Sequence, residues 1–172
     1  WSLVQPMRAA DDVYRILRWV SLATIVWAGF GLIQYATSNG RFYWVYEHPF
    51  SSTLHHATGP FSTRNHFAHL MVLGVGPLIG LMNKSVVAES SGATTTPHGS
   101  PRQVAIGFWA IGLVTAIVAA LMTVSRGGLL GLGVVLTVSA LLISWLAAER
   151  NSWLPFGIAG LVIAACAGAY VF

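Results

Sequence analysis

Within GPFSTRNHFAHLM, Gly59 to Met71, an arginine, an asparagine and two histidines fall inside six residues at the entrance of an apolar run. Their types fit the handling of an anion. Arg64 carries a fixed positive charge on a fork that can grip a phosphate with two parallel hydrogen bonds. A helix starting near Asn65 would let that side chain cap open backbone donors, and the positive helix end would add to the guanidinium in drawing a phosphate. His66 and His69, three apart, would share a helix face, and an imidazole suits the role of general base toward an incoming hydroxyl. A plainer account stays open at this point, in which Asn65 is only a cap and Arg64 an interfacial anchor whose charge reaches the headgroups.

A second such place is TVSRGGLLGLG, Thr123 to Gly133, where Arg126 separates two long apolar runs. An arginine facing lipid is costly, so it should turn toward a cavity or sit at an interfacial hairpin tip. Gly127 and Gly128 would allow a tight reversal and close backbone approach. Arg64 and Arg126 on one side of a membrane would make two forks suited to a diphosphate.

The elements that must position these groups are membrane spans. Of 172 residues, 55% are apolar and only 8% are charged, against about 25% charged in soluble domains. A span needs about 20 mostly apolar residues, and five stretches answer to that: about 14–36, 66–82, 103–124, 128–148 and 152–172. The expected fold is an all-α polytopic transmembrane bundle of about five spans forming a single domain over 1–172. Span two is short enough to call for tilt or local thinning. The start at Trp1 and the end at Phe172 inside an apolar run lead us to expect a fragment of a longer membrane protein.

Six basic residues, Arg8, Arg15, Arg18, Lys84, Arg102 and Arg150, fall on one side of these spans and three, Arg41, Arg64 and Arg126, on the other. The positive-inside tendency then places the N-terminus in the cytoplasm. Their scatter lacks the basic stripe of a nucleic-acid binder. The single cysteine, Cys166, excludes an internal disulfide and reads as a small packing residue. Residues 83–102, rich in Ser, Thr, Gly and Pro, read as a flexible cytoplasmic connection with His98 a solvated member. Residues 37–65 carry Phe42, Tyr43, Trp44, Tyr46, Phe50 and Phe61, the composition of an aromatic-rich outer loop at headgroup level, here expected to include a short helix lying on the membrane. His48, His55, His56, His66 and His69 map to that outer side with Glu47 as its one acid, which makes the outer mouth electropositive. Gly- and Ala-rich runs such as GGLLGLG mark close helix packing.

The pair GPFSTRNHFAHLMVLGVGPLIGL and, some sixty residues later, LMTVSRGGLLGLGVV resembles the front half of the O-antigen ligase and O-antigen polymerase-like membrane family. Gly59, Phe61, Asn65, His66 and Phe67 carry the first motif, Ser125, Arg126 and Gly127 the second, and the likeness covers roughly 55–150. The resemblance implies a multi-span, metal-independent glycosyltransferase of a bacterial inner membrane that passes a glycan from an undecaprenyl diphosphate carrier to a hydroxyl acceptor on the outer face. It implies that Arg126, and Arg126 only, contacts the carrier diphosphate; Ser125 and Asn65 are motif residues taken as further candidate substrate contacts. Arg64 and His69 join them from the residue types alone, and His66 is the candidate base. No cofactor is implied. Family members are more than twice as long and add arginine and histidine residues from a large outer loop, so this stretch alone is expected to be inactive. Two other readings stand beside it: a structural or accessory subunit of a larger membrane complex, touching lipids and other membrane subunits, and a haem or metal site built from the outer histidines.

Overall fold

The computed structural model describes residues 10–50, 52–90 and 101–146. Four helices follow one another: α1 (Ala10–Ala36), α2 (Arg64–Ser90), α3 (Pro101–Met122) and α4 (Arg126–Leu146). All four are long and apolar enough to cross a membrane, and among the described residues there is no strand, only an isolated bridge between Phe42 and Tyr46. The chain is therefore an all-helical protein of the multi-pass membrane type. The fifth expected span, Cys166 and His98 lie outside the described residues.

Helix α2 departs most from expectation. It has 27 residues rather than the short 66–82 stretch, about 40 Å at 1.5 Å per residue, so it needs no thinning of the bilayer. Its extra turns come from 83–90, which the Ser/Thr-rich reading assigned to a flexible connection. Ser85 folds its hydroxyl back onto the Leu81 carbonyl at 3.0 Å, and the Lys84 ammonium sits 3.2 Å from the centre of the Tyr14 ring. Helix-compatible residues with a cation–π tether to α1 override the composition there. Pro77 lies inside α2, and its ring leaves the Leu73 carbonyl without its usual donor one turn later.

Helix α2 is the hub and packs on each of the other three. Phe67, Met71, Val75 and Leu78 are fully buried along it, spaced by three or four residues so that they form one stripe. Gly112, Ala116, Ala119 and Ala120 are the buried face of α3, and their small size lets backbones close up where lipid supplies no hydrophobic drive. Outward faces stay apolar, with Val26, Leu73, Ile111 and Val134 exposed, as a lipid solvent demands.

The reversal between α3 and α4 is made by Thr123, Val124 and Ser125, and the left-handed residue is Val124 with φ 50°. Gly127 and Gly128 do not form the turn, contrary to the sequence expectation; they are the first turn of α4. Because α3 and α4 reverse within three residues, α4 starts at the end of the bundle where α3 finishes. The start of α2 is at that same end, as the contacts described next establish.

Candidate functional site

Ser125 caps α4. Its carbonyl accepts the Leu129 N–H at 2.9 Å, and its hydroxyl accepts the Gly128 N–H at 3.2 Å, which are the two marks of an N-cap serine. The hydroxyl proton is then free to point elsewhere, and it is donated to Asn65 Oδ1 at 3.0 Å, across sixty residues of sequence. Asn65 is the second residue of α2 and does not serve as its cap as expected; it is the bridge that fastens the start of α2 to the start of α4. Thr123 completes the turn, accepting the Ser125 N–H at 3.2 Å while its own hydroxyl bonds the Ala120 carbonyl at 2.6 Å.

The absence of side chains at Gly127 and Gly128 brings the two helix starts close. A β-carbon on Gly128 would stand 2.5 Å from Ala68 Cβ, and one on Gly127 would lie 3.6 Å from His69 Nε2. Arg64 and Arg126 therefore head two helices whose first turns adjoin at one end of the bundle, with Asn65, Ser125 and His69 between or beside them. Aligned helix dipoles add positive potential at that spot. The two arginines differ in their surroundings. Arg126 is exposed and makes no hydrogen bond or ion pair among the described residues. Arg64 is half-buried, and its Nη1 lies 3.2 Å from His56 Nε2. His66 is exposed, its ring 6.2 Å edge-on from Phe61.

The connection 37–63 folds over this end. No helix occurs among its described residues. The bridge from Phe42 to Tyr46 closes a tight hairpin over three residues, two of which, Tyr43 and Trp44, have positive φ, 53° and 62°, an uncommon state for aromatic residues. Three groups hold it. Tyr43 Oη donates to the Pro60 carbonyl at 2.9 Å, Trp44 Nε1 donates to Thr37 Oγ1 at 3.0 Å, and the buried Gln34 amide of α1 donates to the Gly59 carbonyl at 2.8 Å while accepting the Tyr43 N–H at 2.9 Å. Farther along, the Ala57 N–H reaches the Met122 carbonyl at 3.0 Å, which ties the connection to the end of α3. Gly59, with φ 54°, leaves room for the Phe67 ring, so these two motif residues are packing partners.

Between this connection and the first turn of α2 lies a pocket of about 370 Å³, with His48, Phe50, His56, Thr58, Arg64 and Asn65 among its walls. Arg126 is not one of its lining residues. His56 was read from the sequence only as one of the outer histidines, and Thr58 and Gln34 were not singled out, because nothing in their local pattern shows that they turn inward. Among the described residues no three His, Cys, Asp or Glu side chains converge to hold a metal ion. Comparison with family models, with curated proteins and with solved structures finds no match.

Proposed function

We propose that the chain is the carrier-binding part of a membrane glycan ligase or polymerase, and that a polyprenyl diphosphate lies across the paired starts of α2 and α4. The observation that carries this reading is the Ser125–Asn65 bond of 3.0 Å, since it holds two arginine-headed helix starts side by side. The amides of Arg126 and Gly127 are the first two of α4 and have no carbonyl one turn earlier to bond. An exposed glycine there lets a phosphate approach the backbone, and the Arg126 guanidinium supplies the charge. Arg64 is the second phosphate contact and His69 flanks Gly127. Arginine keeps its charge at any physiological pH, so the grip needs no metal and no titration.

In the transfer itself, the acceptor hydroxyl oxygen bonds to the anomeric carbon, the bond from that carbon to the carrier phosphate oxygen breaks, and the electron pair leaves on the diphosphate. The hydroxyl proton passes to a base, for which His66 is the candidate among the described residues. Charge growing on the leaving diphosphate is what Arg126 would stabilise. In this reading the protein sits in a bacterial inner membrane with five spans, its N-terminus in the cytoplasm and the 37–63 connection an aromatic outer loop. The resemblance of GPFSTRNHF and SRG to the O-antigen ligase-like family supports it, as does the clustering of both motifs at one end of the bundle.

The test is binding of undecaprenyl diphosphate by the chain in nanodiscs. Arg126→Ala should weaken it by roughly 10- to 100-fold, the worth of about 1.5–3 kcal/mol for hydrogen bonds to a charged group. Undiminished binding by that variant would remove the proposed contact. Recovery of the chain in fixed ratio within a complex that makes no glycan would favour the accessory-subunit reading instead.

A further inference from the structure

Arg64 and His56 meet in a contact that exists in only one protonation state. Arginine donates hydrogen bonds and accepts none, so in the 3.2 Å approach of Arg64 Nη1 to His56 Nε2 the imidazole nitrogen is the acceptor. A nitrogen that accepts carries no proton, which puts the ring proton on Nδ1 and makes His56 neutral. Imidazolium has two donors and no acceptor. A second proton would therefore end the bond and set two cations donor to donor.

The surroundings offer that proton no counter-charge. The charged and titratable groups facing His56 are Arg64 from α2, His55 with its ring centre 6.2 Å away, and His48 in the wall of the same pocket. Helices α1 and α3 meet this segment through uncharged groups, the Gln34 amide at Gly59 and the Met122 carbonyl at Ala57. None of the residues lining the pocket is acidic, and the Glu47 carboxylate is engaged by Arg41 at 3.4 Å. The neutral ring is also not at ease where it lies. Its Nδ1 is buried without a partner, and a lone interior donor is unfavourable. A ring turned out to water loses that penalty. His56 is only half-buried and lines the pocket, so part of it is open to solvent already.

We propose that His56 is a proton-operated latch on Arg64. The neutral ring holds the guanidinium in the pocket wall, and the protonated ring releases it to an anion at the paired starts of α2 and α4. Histidine is the side chain whose charge ordinarily changes near neutral pH. Arg64 keeps its own charge in both states; what changes is its partner. The ties from Gln34 and Ala57 carry no titratable group, so the connection stays in place while the arginine is freed. The consequence for the carrier rests on the function proposed above, with Arg126 holding the diphosphate at any pH and Arg64 joining it in acid. The latch itself does not.

The experiment follows the chain, with ¹⁵N-labelled histidine and arginine, by NMR in nanodiscs of neutral phosphatidylcholine without ligand, from about pH 8 to about pH 5, either side of the usual imidazole range. His56 and Arg64 signals are assigned by their loss in His56→Gln and Arg64→Lys. At the alkaline end His56 should carry its proton on Nδ1. At the acid end both ring nitrogens should be protonated, and the Arg64 guanidinium signals should move with the same midpoint. Glutamine offers an acceptor that takes no proton, so in His56→Gln the Arg64 signals should not move, whereas His48→Gln and His55→Gln should keep the step. The Ala57 amide, bonded to Met122, should resist hydrogen exchange at both ends. Affinity for undecaprenyl diphosphate should then rise roughly tenfold on acidification, the worth of one more hydrogen bond to a charged group. That rise is measured against His56→Gln, which cancels titration of the diphosphate itself. Latch signals in a chain that binds no carrier at either pH would support the latch and defeat the carrier reading. A His56 proton on Nε2 at about pH 8, a ring still neutral at about pH 5, an Arg64 step that persists in His56→Gln, or loss of Ala57 protection with the step would overturn the latch. Carrier affinity rising equally in both chains would overturn its link to binding.

Discussion

Helices α2 and α4 both begin on an arginine, yet the two starts are built differently. At α4 the cap is a serine whose hydroxyl is fully used, accepting from Gly128 and donating to Asn65, and the arginine after it is exposed. At α2 the arginine is folded against His56 under a connection held by Gln34, Tyr43 and Ala57. One start is rigid in its backbone with a free charge, and the other has its charge fixed in a walled pocket. The difference separates holding from reaching: a guanidinium that makes no contact within the protein retains all its donors for a ligand, whereas a partnered one helps to shape a cavity.

That contrast depends on the two first turns lying in contact, so the most damaging change is one that forces them apart. Gly128→Val places a branched side chain where even a β-carbon would stand 2.5 Å from Ala68 Cβ. Overpacking of this kind costs about 1–3 kcal/mol, sometimes more, and here the obstruction is a neighbouring β-carbon close to the backbone, which cannot rotate away. Chemical unfolding in detergent should show a loss at or above that range, and carrier binding should fall with it. A Gly128→Val chain with unaltered stability would mean that the helix starts are not in the described contact.

The next largest effect separates the cap from the bridge. Ser125→Ala removes both the bond to Gly128 N–H and the bond to Asn65, and should cost about 1–2 kcal/mol. Asn65→Ala removes only the second and should cost about 1 kcal/mol or less. The double variant should cost no more than Ser125→Ala by itself, since the bridge is already gone; a fully additive pair in a double-mutant cycle would show that the two side chains do not interact.

The same region shows how far the sequence could be read. The helices were legible because a lipid-facing chain needs long apolar runs, and four of the five expected stretches coincide with α1 to α4 to within a few residues at most ends. The length of α2 was not, since Lys84 and Ser85 look like linker residues until Tyr14 is known to lie beside them. Nor was the function of the glycine pair: Gly127–Gly128 reads locally as a turn, and only the position of Ala68 shows that the glycines make room for a neighbouring helix. Arg64, Asn65, Ser125 and Arg126 were visible as polar residues in the wrong solvent. That Asn65 meets Ser125 is a long-range fact, sixty positions apart, which no local pattern encodes. The 37–63 connection was the least legible stretch, because its fold rests on side chain to backbone bonds from Gln34, Tyr43 and Trp44 and not on any periodicity.

The smallest expected effect tests the contrast most directly. Arg126 is exposed and makes no hydrogen bond or ion pair among the described residues, so Arg126→Ala should leave stability within about 0.5 kcal/mol of the unaltered chain, as surface changes away from special features do. Arg64→Ala removes a guanidinium from a half-buried place and takes away the only donor to His56 Nε2 among the described residues, so it should cost about 1 kcal/mol. Both unfolding midpoints in neutral detergent at low salt decide the matter. If Arg126→Ala proves the more destabilising, its charge is held by the protein after all, and the distinction between a shaping arginine and a reaching one fails.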